Sequence, residues 1–369
     1  MIFLSSCFII NVLSYIKILI NKLWKIRALD TNKIILKWFD KEKRDLPWRN
    51  SNKSSIDIYK VWISEIMLQQ TTVNAVIPYF KKFIERFPSI YSLADATLDE
   101  VLSYWAGLGY YSRARNIHKC AVIIVNQYNG LFPKIETDLI KLPGIGDYTA
   151  AAICAIAYNQ VAIAVDVNIE RVISRIYNKH NIKKVEIKLL ISNFISLDRP
   201  GDFTEALMDL GAKVCKARDP NCKNCPLNTI CKTYLKNKSA LLKKTKLITK
   251  KKIRYGNCYI ISRDIDQKYF FIRRPLKGLL GGMLSFPSSD WREDKNNLEN
   301  EELFEGLIIR NQINKPINMI THTFSHFKLI LDIYVLKIID SIDIEGEWIE
   351  LDEAFTELPS LMKKVAHTV

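Results

Sequence analysis

The stretch Leu139–Tyr177 constrains the fold more than any other part of the chain. In it, an apolar helix end runs into the sequence LPGIG, and an Ala-rich run, Thr149–Ala157, follows. We expect Pro143 to end the first helix, and Gly144 and Gly146 to allow a tight turn that bulkier residues resist. The N–H groups at the start of the second helix then favour an anion such as a phosphate. The alternative is a plain helix–turn–helix that packs in the core and binds no anion.

Two polar residues follow this hairpin in the sequence VDVN. Asp166 or Asn168 is predicted to cap a helix over Ile169–Tyr177, because short polar side chains accept hydrogen bonds from the free N–H groups of a helix start. An Asp at such a position is held ionised and fixed in direction. Asp166 is therefore a candidate for electrostatic stabilisation of a ligand as well as for capping.

The balance of charge indicates a polyanionic partner. The 369 residues include 54 Lys and Arg against 39 Asp and Glu, which gives a formal net charge of +15. Such an excess suits nucleic acid, although charge alone does not separate a DNA-binding protein from a generally basic one. The length predicts two domains.

Four of the eight cysteines, Cys215, Cys222, Cys225 and Cys231, crowd into one short segment. In a chain of this length, such crowding indicates a metal site rather than a disulfide framework, and therefore a reducing compartment. Zinc ribbons usually pair two C-x2-4-C knuckles, and this single loop does not match them. Zinc stays open as an alternative.

Residues 1–28 form an unusually apolar N-terminal extension. It lacks the basic n-region and the cleavage site of a secretory signal. Its length invites a transmembrane interpretation, but Asn11, Ser14 and Lys17 weaken it. We expect an overlong start or an apolar packing helix, and no membrane partner, with a membrane anchor as the alternative.

A single acid stands out on the predicted helix Tyr59–Leu68. Glu65 has Val61 and Trp62 one turn behind it and Leu68 one turn ahead. Burial among such neighbours raises the pKa of a carboxyl and keeps it protonated near neutral pH. A capping or ion-pairing role is the common alternative for a helical Glu.

From Ile253 onwards the pattern changes to strand-like runs, which together with later helical segments predict an α+β second domain. A Lys-rich run over 236–252 separates it from the helical part and is predicted to be a linker. In the sequence HTFSH, alternation places His322, Phe324 and His326 on one face of a strand.

Several separate motifs recur along the chain: LPWR, SEIMLQQT, GLGYYSRARN, LPGIGDYTA, VDVN, the four cysteines, GLLGGM and TFSH. They resemble those of the adenine DNA glycosylases, a family of the helix-hairpin-helix DNA glycosylase superfamily. The resemblance implies a mainly α N-terminal helix-hairpin-helix glycosylase domain with an iron–sulfur loop, and a smaller α+β Nudix-like C-terminal domain. The implied boundaries are 1–28 for the extension, 29–235 for the glycosylase domain with its loop at 215–231, 236–252 for the linker and 253–369 for the recognition domain.

The resemblance also implies an activity, the hydrolysis of the N-glycosidic bond of adenine mispaired with 8-oxoguanine or guanine in duplex DNA. Glu65, protonated, would donate to the flipped-out adenine, and Asp166 would stabilise the positive charge that develops on the sugar. Tyr148 and Asn168 would support them, and the four thiolates would hold a [4Fe–4S] cluster. The positions implied to contact DNA or its bases are Arg44, Trp48, Gln69, Gln70, Tyr110, Gly144, Gly146, Glu205, Phe324, Ser325 and His326.

Two rival functions differ in testable ways. An endonuclease III-like pyrimidine glycosylase/lyase carries a Lys at position 148, whereas Tyr148 provides no amine for a Schiff base. A non-catalytic iron–sulfur DNA-binding sensor would not need both Glu65 and Asp166. The chain also lacks the G-x5-E-x7-R-E-x2-E-E pattern of Nudix pyrophosphohydrolases.

One residue departs from the family pattern. Val167 stands between Asp166 and Asn168 where the family usually has Gly, and a β-branched residue there resists positive φ. We therefore expect a slightly different local backbone. The protein is expected to act as a monomer in the cytoplasm, at the nucleoid.

Overall fold

The computed structural model describes residues 31–49, 56–236, 251–275, 278–295, 304, 315–324, 326–338 and 344–369. The N-terminal extension, positions 237–250 of the predicted linker and Ser325 lie outside these residues. Within the described ranges, no helix combines the length and the apolar character needed to cross a bilayer.

The chain divides into two compact units, Met1–Tyr91 with Lys119–Lys246, and Ser92–His118 with Leu247–Val369. The second unit therefore includes the helical segment Ser92–His118, which lies in the sequence between the two parts of the first unit. The domain boundaries inferred from the sequence remain a prediction.

Helices make up the first unit and the Ser92–His118 segment. Where a cap forms, it is supplied by a short polar residue, as at α2, where Asp57 accepts a hydrogen bond from the N–H of Lys60 at 3.3 Å. In chain order the helices before the sheet are α1 (31–42), α2 (Ile58–Leu68), α3 (Val73–Arg86), α4 (Ile90–Ala94), α5 (Leu98–Trp105), α6 (Ser112–Tyr128), α7 (Glu136–Leu139), α8 (Asp147–Ile156), α9 (Val167–Tyr177), α10 (Lys184–Ser192), α11 (Pro200–Asp209), a turn of π-helix (Leu210–Val214), a 3-10 turn (Cys222–Asn224) and α12 (Lys232–Lys236).

The predicted hairpin is formed by α7, a turn and α8. The prediction that Pro143 ends the first helix is wrong, because α7 already ends at Leu139 and the chain continues through hydrogen-bonded turns. Gly144 has φ 79°, in the left-handed region, whereas Gly146 caps α8 with φ −98°. The residues of α8 from Thr149 to Ile156 are buried, and their small Ala side chains let the helix pack closely against α2 and α11.

The predicted cap of the next helix is confirmed. Asp166 is the N-cap of α9, and its Oδ1 accepts a hydrogen bond from the N–H of Ile169 at 2.7 Å. The helix begins at Val167, two residues earlier than expected. Val167 is helical and 72% exposed, and it is not one of the described residues with positive φ. The backbone at Asp166 therefore does not depend on a glycine at position 167.

The second unit contains a mixed sheet, which confirms the predicted α+β class. With strands numbered along the chain, the strand order of this sheet is β3-β2-β1-β5-β4, and β6 also pairs with β2. The β1 and β5 strands run parallel and the other pairs antiparallel. Two C-terminal helices bury Leu358 and Met362 in the core that includes Leu329 and Leu331. The elements are β1 (Lys252–Arg263), β2 (Lys268–Arg273), β3 (Leu284–Ser285), β4 (Asn318–Thr323), β5 (Phe327–Ile338), β6 (Glu347–Ile349), α13 (Leu351–Glu357) and α14 (Ser360–Ala366).

The HTFSH segment is not one strand, so the prediction of a shared strand face is wrong. His322 lies on β4, but that strand ends at Thr323 and β5 begins at Phe327. Phe324 and His326 therefore lie in the reversal between the strands, where the N–H of Phe324 donates to the carbonyl oxygen of Phe327 at 2.9 Å. The alternation of side chains in the sequence continues across this tight turn, so the pattern did not indicate that the chain reverses there.

The two hairpin glycines provide a matched stability test. We expect Gly144→Ser to lower the free energy of unfolding by about 1–2 kcal/mol, because a side chain at φ 79° is strained. Gly146→Ser should be neutral or stabilising, since a Cβ there meets no atom within 4 Å and Ser is a good N-cap. Urea unfolding of both variants measures the difference, and equal losses would contradict this account of the turn.

Candidate active site

Helix α2 carries Glu65 into the first unit, where the residue is only 7% exposed. Its carboxyl opens onto a small cavity whose walls include the predicted positions Arg44, Trp48 and Glu205. Trp48 is itself buried and packs edge-on against Phe80 with ring centroids 5.3 Å apart. The structure thus brings four of the sequence-predicted residues to one cavity.

The predicted rise in the pKa of Glu65 is confirmed. Burial is the largest cause, and the nearby carboxylates of Asp166 and Glu205 add to it. A hydrogen bond from Tyr148 and the charge of Arg49 oppose the rise, and the resulting pKa is about 7. Glu65 can therefore hold its proton at a pH where an ordinary carboxyl has lost it.

Tyr148 binds one of the two candidate carboxyls and senses the charge of the other. It lies in the first turn of α8, and its hydroxyl donates a hydrogen bond to Glu65. Burial raises its pKa well above the ordinary value, and the charges of Glu65 and Asp166 raise it further. The phenol consequently stays protonated and remains a donor.

Asp166 is fixed by donors on both of its oxygens. Besides the N–H of Ile169 on Oδ1, Nδ2 of Asn168 donates to Oδ2 at 2.7 Å. Arg171, one turn later on α9, donates from Nη2 to Oδ1 of Asn168 at 2.7 Å and so orients that amide. Sequence reasoning did not assign a role to Arg171, although the spacing N-x-x-R places both side chains on one helix face.

A buried ion cluster forms the back of the cavity. Arg44 Nε lies 2.6 Å from Asp209 Oδ1, and Arg49 reaches Asp209 at 2.7 Å and Glu205 at 2.6 Å. Burial would raise the pKa of Asp209, whose side chain has no exposed surface, but the hydrogen bonds and charges of the two arginines lower it overall. Burial raises the pKa of Glu205, against the charge of Arg49.

Sequence reasoning missed two members of this cluster, Arg49 and Asp209. Arg49 was quoted only as part of the LPWR motif. Asp209 follows Glu205 by four residues on α11, which places both acids on the same helix face. That spacing was the available signal.

The four clustered cysteines line a second small cavity. Arg175 of α9 borders it and donates from Nη1 to Cys215 Sγ at 3.3 Å, while Cys231 Sγ donates to the carbonyl oxygen of Arg175 at 3.4 Å. None of these four cysteines forms a disulfide. In the described part of the chain, no three His, Cys, Asp or Glu side chains are grouped closely enough to bind one metal ion.

The remaining DNA-contact candidates of the first unit lie at the ends of α2 and α8. Gly144 and Gly146 are exposed, and Gln69 Nε2 donates to Thr149 Oγ1 at 3.3 Å. Gln70 is exposed in the turn after α2 with φ 56°. Positive φ in a non-glycine residue is a strained conformation that occurs often at functional sites.

The other candidates belong to the second unit. Tyr110 is half-buried and also has positive φ, 52°. Phe324 packs on Trp291 with ring centroids 5.8 Å apart, and His326 is exposed. Ser325 is not among the described residues.

Comparison with known proteins identifies the family. Residues 63–195 match the HhH-GPD superfamily of base excision DNA repair proteins, and residues 258–368 match the NUDIX domain. The adenine DNA glycosylase of Buchnera aphidicola subsp. Schizaphis graminum (strain Sg) is 38% identical over 312 residues, which are 81% of this chain and 85% of that protein. The chain belongs to the adenine DNA glycosylase family. It is a monofunctional DNA glycosylase, and neither rival function is favoured.

More distant relatives agree with this assignment. The adenine DNA glycosylase of Homo sapiens is 31% identical over 396 residues, covering 90% of this chain and 72% of that protein. Among solved structures, a thermostable thymine-DNA glycosylase matches with a TM-score of 0.52 and 28% identity over 58% of this chain and 98% of its own. An endonuclease III–DNA complex matches with a TM-score of 0.50 and 26% identity over the same shares.

The burial of Glu65 predicts a pH-dependent cost in stability. Because its pKa is raised to about 7, the folded protein keeps a proton that the unfolded chain loses above its ordinary pKa, so stability falls as pH rises from about 4.5 to about 7. Glu65→Gln removes this cost. We expect it to raise the free energy of unfolding by about 3 kcal/mol at pH 8 and by little at pH 5.

Urea unfolding at both pH values measures this effect. Glu85→Gln, on the exposed part of α3, is the matched control and should follow the parent protein at each pH. A Glu65→Gln protein that is equally stable to the parent at pH 8 would contradict the assigned burial.

Proposed function

We propose that this protein removes adenine mispaired with 8-oxoguanine or guanine from duplex DNA. The observation that carries the proposal is the pairing of two carboxyls in opposite environments, the buried Glu65 with its pKa near 7 and the hydrogen-bonded Asp166, with the Tyr148 hydroxyl donating to Glu65. Relatives that share most of this chain are named adenine DNA glycosylases.

In the proposed reaction, Glu65 acts as the general acid. It donates its proton to the adenine ring, so that the base can take the electron pair of the glycosidic bond and leave. Asp166 stabilises the positive charge that this cleavage leaves on the sugar, and Asn168 and Tyr148 keep the two carboxyls in place. A water molecule then adds to the sugar and loses a proton. Such a division of roles between two carboxyls also serves glycoside hydrolysis.

The chemistry ends at base removal, because the residue at position 148 offers no amine. A phenol cannot form a Schiff base with the opened sugar, and the high pKa of Tyr148 keeps its hydroxyl protonated. The strand therefore stays intact until the abasic site is cleaved by other means.

The other sequence-predicted positions have roles in holding the DNA. The exposed amides of the α7–α8 hairpin, near Gly144 and Gly146, suit a backbone phosphate. Gln70 is suited to enter the stack where the flipped adenine leaves it, and Tyr110, on the other unit, is a separate candidate for the same role. Phe324, Ser325 and His326 recognise the oxidised guanine, while Arg44, Trp48 and Glu205 contact the adenine.

Cys215, Cys222, Cys225 and Cys231 fit a [4Fe–4S] cluster better than a zinc ion. All four sulfurs line one cavity, yet no three of them are spaced for one shared ion, and a four-iron cluster holds its thiolates farther apart than a single ion does. The bound cluster would supply fixed geometry and charge, since hydrolysis needs no electron. Cysteines spaced for a cluster rather than for disulfides support a reducing cytoplasm, at the nucleoid, as the place of action.

Base release tests the function. With adenine opposite 8-oxoguanine, the parent protein should release adenine, and strand breaks should appear mainly after hot alkali. The single-turnover rate should fall about tenfold per pH unit above pH 7, as Glu65 ionises. Glu65→Gln and Asp166→Asn should abolish release, and Glu85→Gln should retain it.

Duplexes with adenine opposite guanine and with thymine glycol are assayed in parallel with the 8-oxoguanine duplex. Breaks in the thymine-glycol strand without alkali would move the protein to the lyase class. Tight binding without release of any base would support the sensor instead.

Metal analysis tests the cluster separately. Anaerobically purified protein should contain iron and acid-labile sulfide in equal amounts, and Cys222→Ser should lower both. Cys258→Ser, a buried thiol in the sheet of the other unit, should leave the content unchanged and serves as the control. Stoichiometric zinc without sulfide would refute the cluster assignment.

A further inference from the structure

Gly211 lies in the π-helical turn after α11 and packs against the first turn of α9. A Cβ at this position would lie 2.5 Å from Cβ of Asn168 and 3.0 Å from both its Cα and its carbonyl oxygen. These atoms belong to the backbone or adjoin it, so no rotamer change can make room. Any side chain at 211 must push the π-helical turn and the start of α9 apart.

The displaced residue is the one that orients Asp166. Asn168 donates from Nδ2 to Asp166 Oδ2 at 2.7 Å and accepts from Arg171 at its own Oδ1. The carbonyl oxygen of Gly211 in turn accepts from Nη2 of Arg171 at 2.7 Å. Gly211 therefore limits the position of Asn168 directly, through contact, and indirectly, through the guanidinium that holds the amide.

The π-helical turn lets one segment serve two sites. Asp209 faces Arg44 and Arg49 at the back of the Glu65 cavity, and Gly211, two residues later, faces Asn168. Single turns of π-helix inside α-helices occur frequently at functional sites. The segment around Gly211 thus connects the surroundings of both carboxyls.

We propose that Gly211 is a positioning residue for Asp166, acting through Asn168. The absence of a side chain lets α9 approach closely enough for the Asn168 amide to hold the carboxylate in the direction that the reaction needs. This proposal rests on the proposed role of Asp166 in base removal.

Gly211→Ala is the direct test. A shift of the Asp166 carboxylate by several tenths of an ångström should lower the single-turnover rate of adenine release about 10- to 100-fold. The rate is expressed per active molecule, after titration of the active fraction, so that lost folding does not count. Affinity for the duplex and the pH midpoint of the rate, which Glu65 sets, should stay near those of the parent.

Gly201→Ala is the control for crowding alone. Its Cβ would lie 2.7 Å from the carbonyl oxygen of Ala155, a comparable clash in the same unit without contact to Asn168. We expect lower stability and a rate per active molecule close to that of the parent. An equal loss of rate in both variants would show a general packing effect and overturn the proposal.

A double-mutant cycle tests the route through Asn168. Asn168→Ala alone should lower the rate by a similar factor, and adding Gly211→Ala should then cost less than Gly211→Ala alone, because the part of its effect that runs through the amide is already absent. Additive losses would refute the route. If Gly211→Ala does not fold, the single Asn168→Ala variant still decides, since a parent-like rate there excludes any positioning through the amide.

Asp166→Asn separates this proposal from the function on which it rests. If that variant still releases adenine, the role of Asp166 is wrong, and Gly211 has nothing to position. If it is inactive and Gly211→Ala matches the parent, only the positioning proposal fails.

Discussion

The buried carboxyl of Glu65 is the constraint to which the first unit is adapted. A carboxyl without water ionises at a cost of several kcal/mol unless a cation compensates it. Arg49 lies near enough to lower the pKa of Glu65, but Glu205 and Asp209 already bind its guanidinium. The ion cluster thereby lets a cation line the cavity while the pKa of Glu65 stays near 7.

Asp166 lies in the opposite environment although it is close enough to influence Glu65. It stands at a helix start, with donors on both oxygens, where a negative charge is favoured. The negative charge of Asp166 also raises the pKa of Glu65, after the larger effect of burial. Two acids of similar intrinsic strength are thus suited to different roles by burial and by donors.

The local sequence predicted the roles of Glu65 and Asp166. The residues whose roles depend on contacts between distant parts of the chain were not predicted. Glu65 stood out by its apolar neighbours and Asp166 by its place before a helix. Asp209 offered only its four-residue spacing from Glu205 and Gly211 offered no signal, because Asp209 binds Arg44, 165 positions away, and Gly211 contacts Asn168 in another helix. The end of α7 before Pro143 and the reversal at Phe324 were missed for a related reason. Periodicity describes the faces of an element and does not locate its ends.

Helix α9 explains why a hydrolase would retain a four-cysteine loop. The first turn of α9 orients Asp166, and Arg171 and Arg175 on the same helix donate to the carbonyl oxygen of Cys215 at 2.7 and 3.3 Å. These bonds hold only if the loop carrying Cys215 keeps one conformation. A loop whose regular structure is a single 3-10 turn loses much entropy on ordering, and a bound cluster would remove that freedom before the loop is used. The contacts of α9 thus give the proposed cluster a structural role that needs no electron transfer, namely to hold the loop that Arg171 and Arg175 bind.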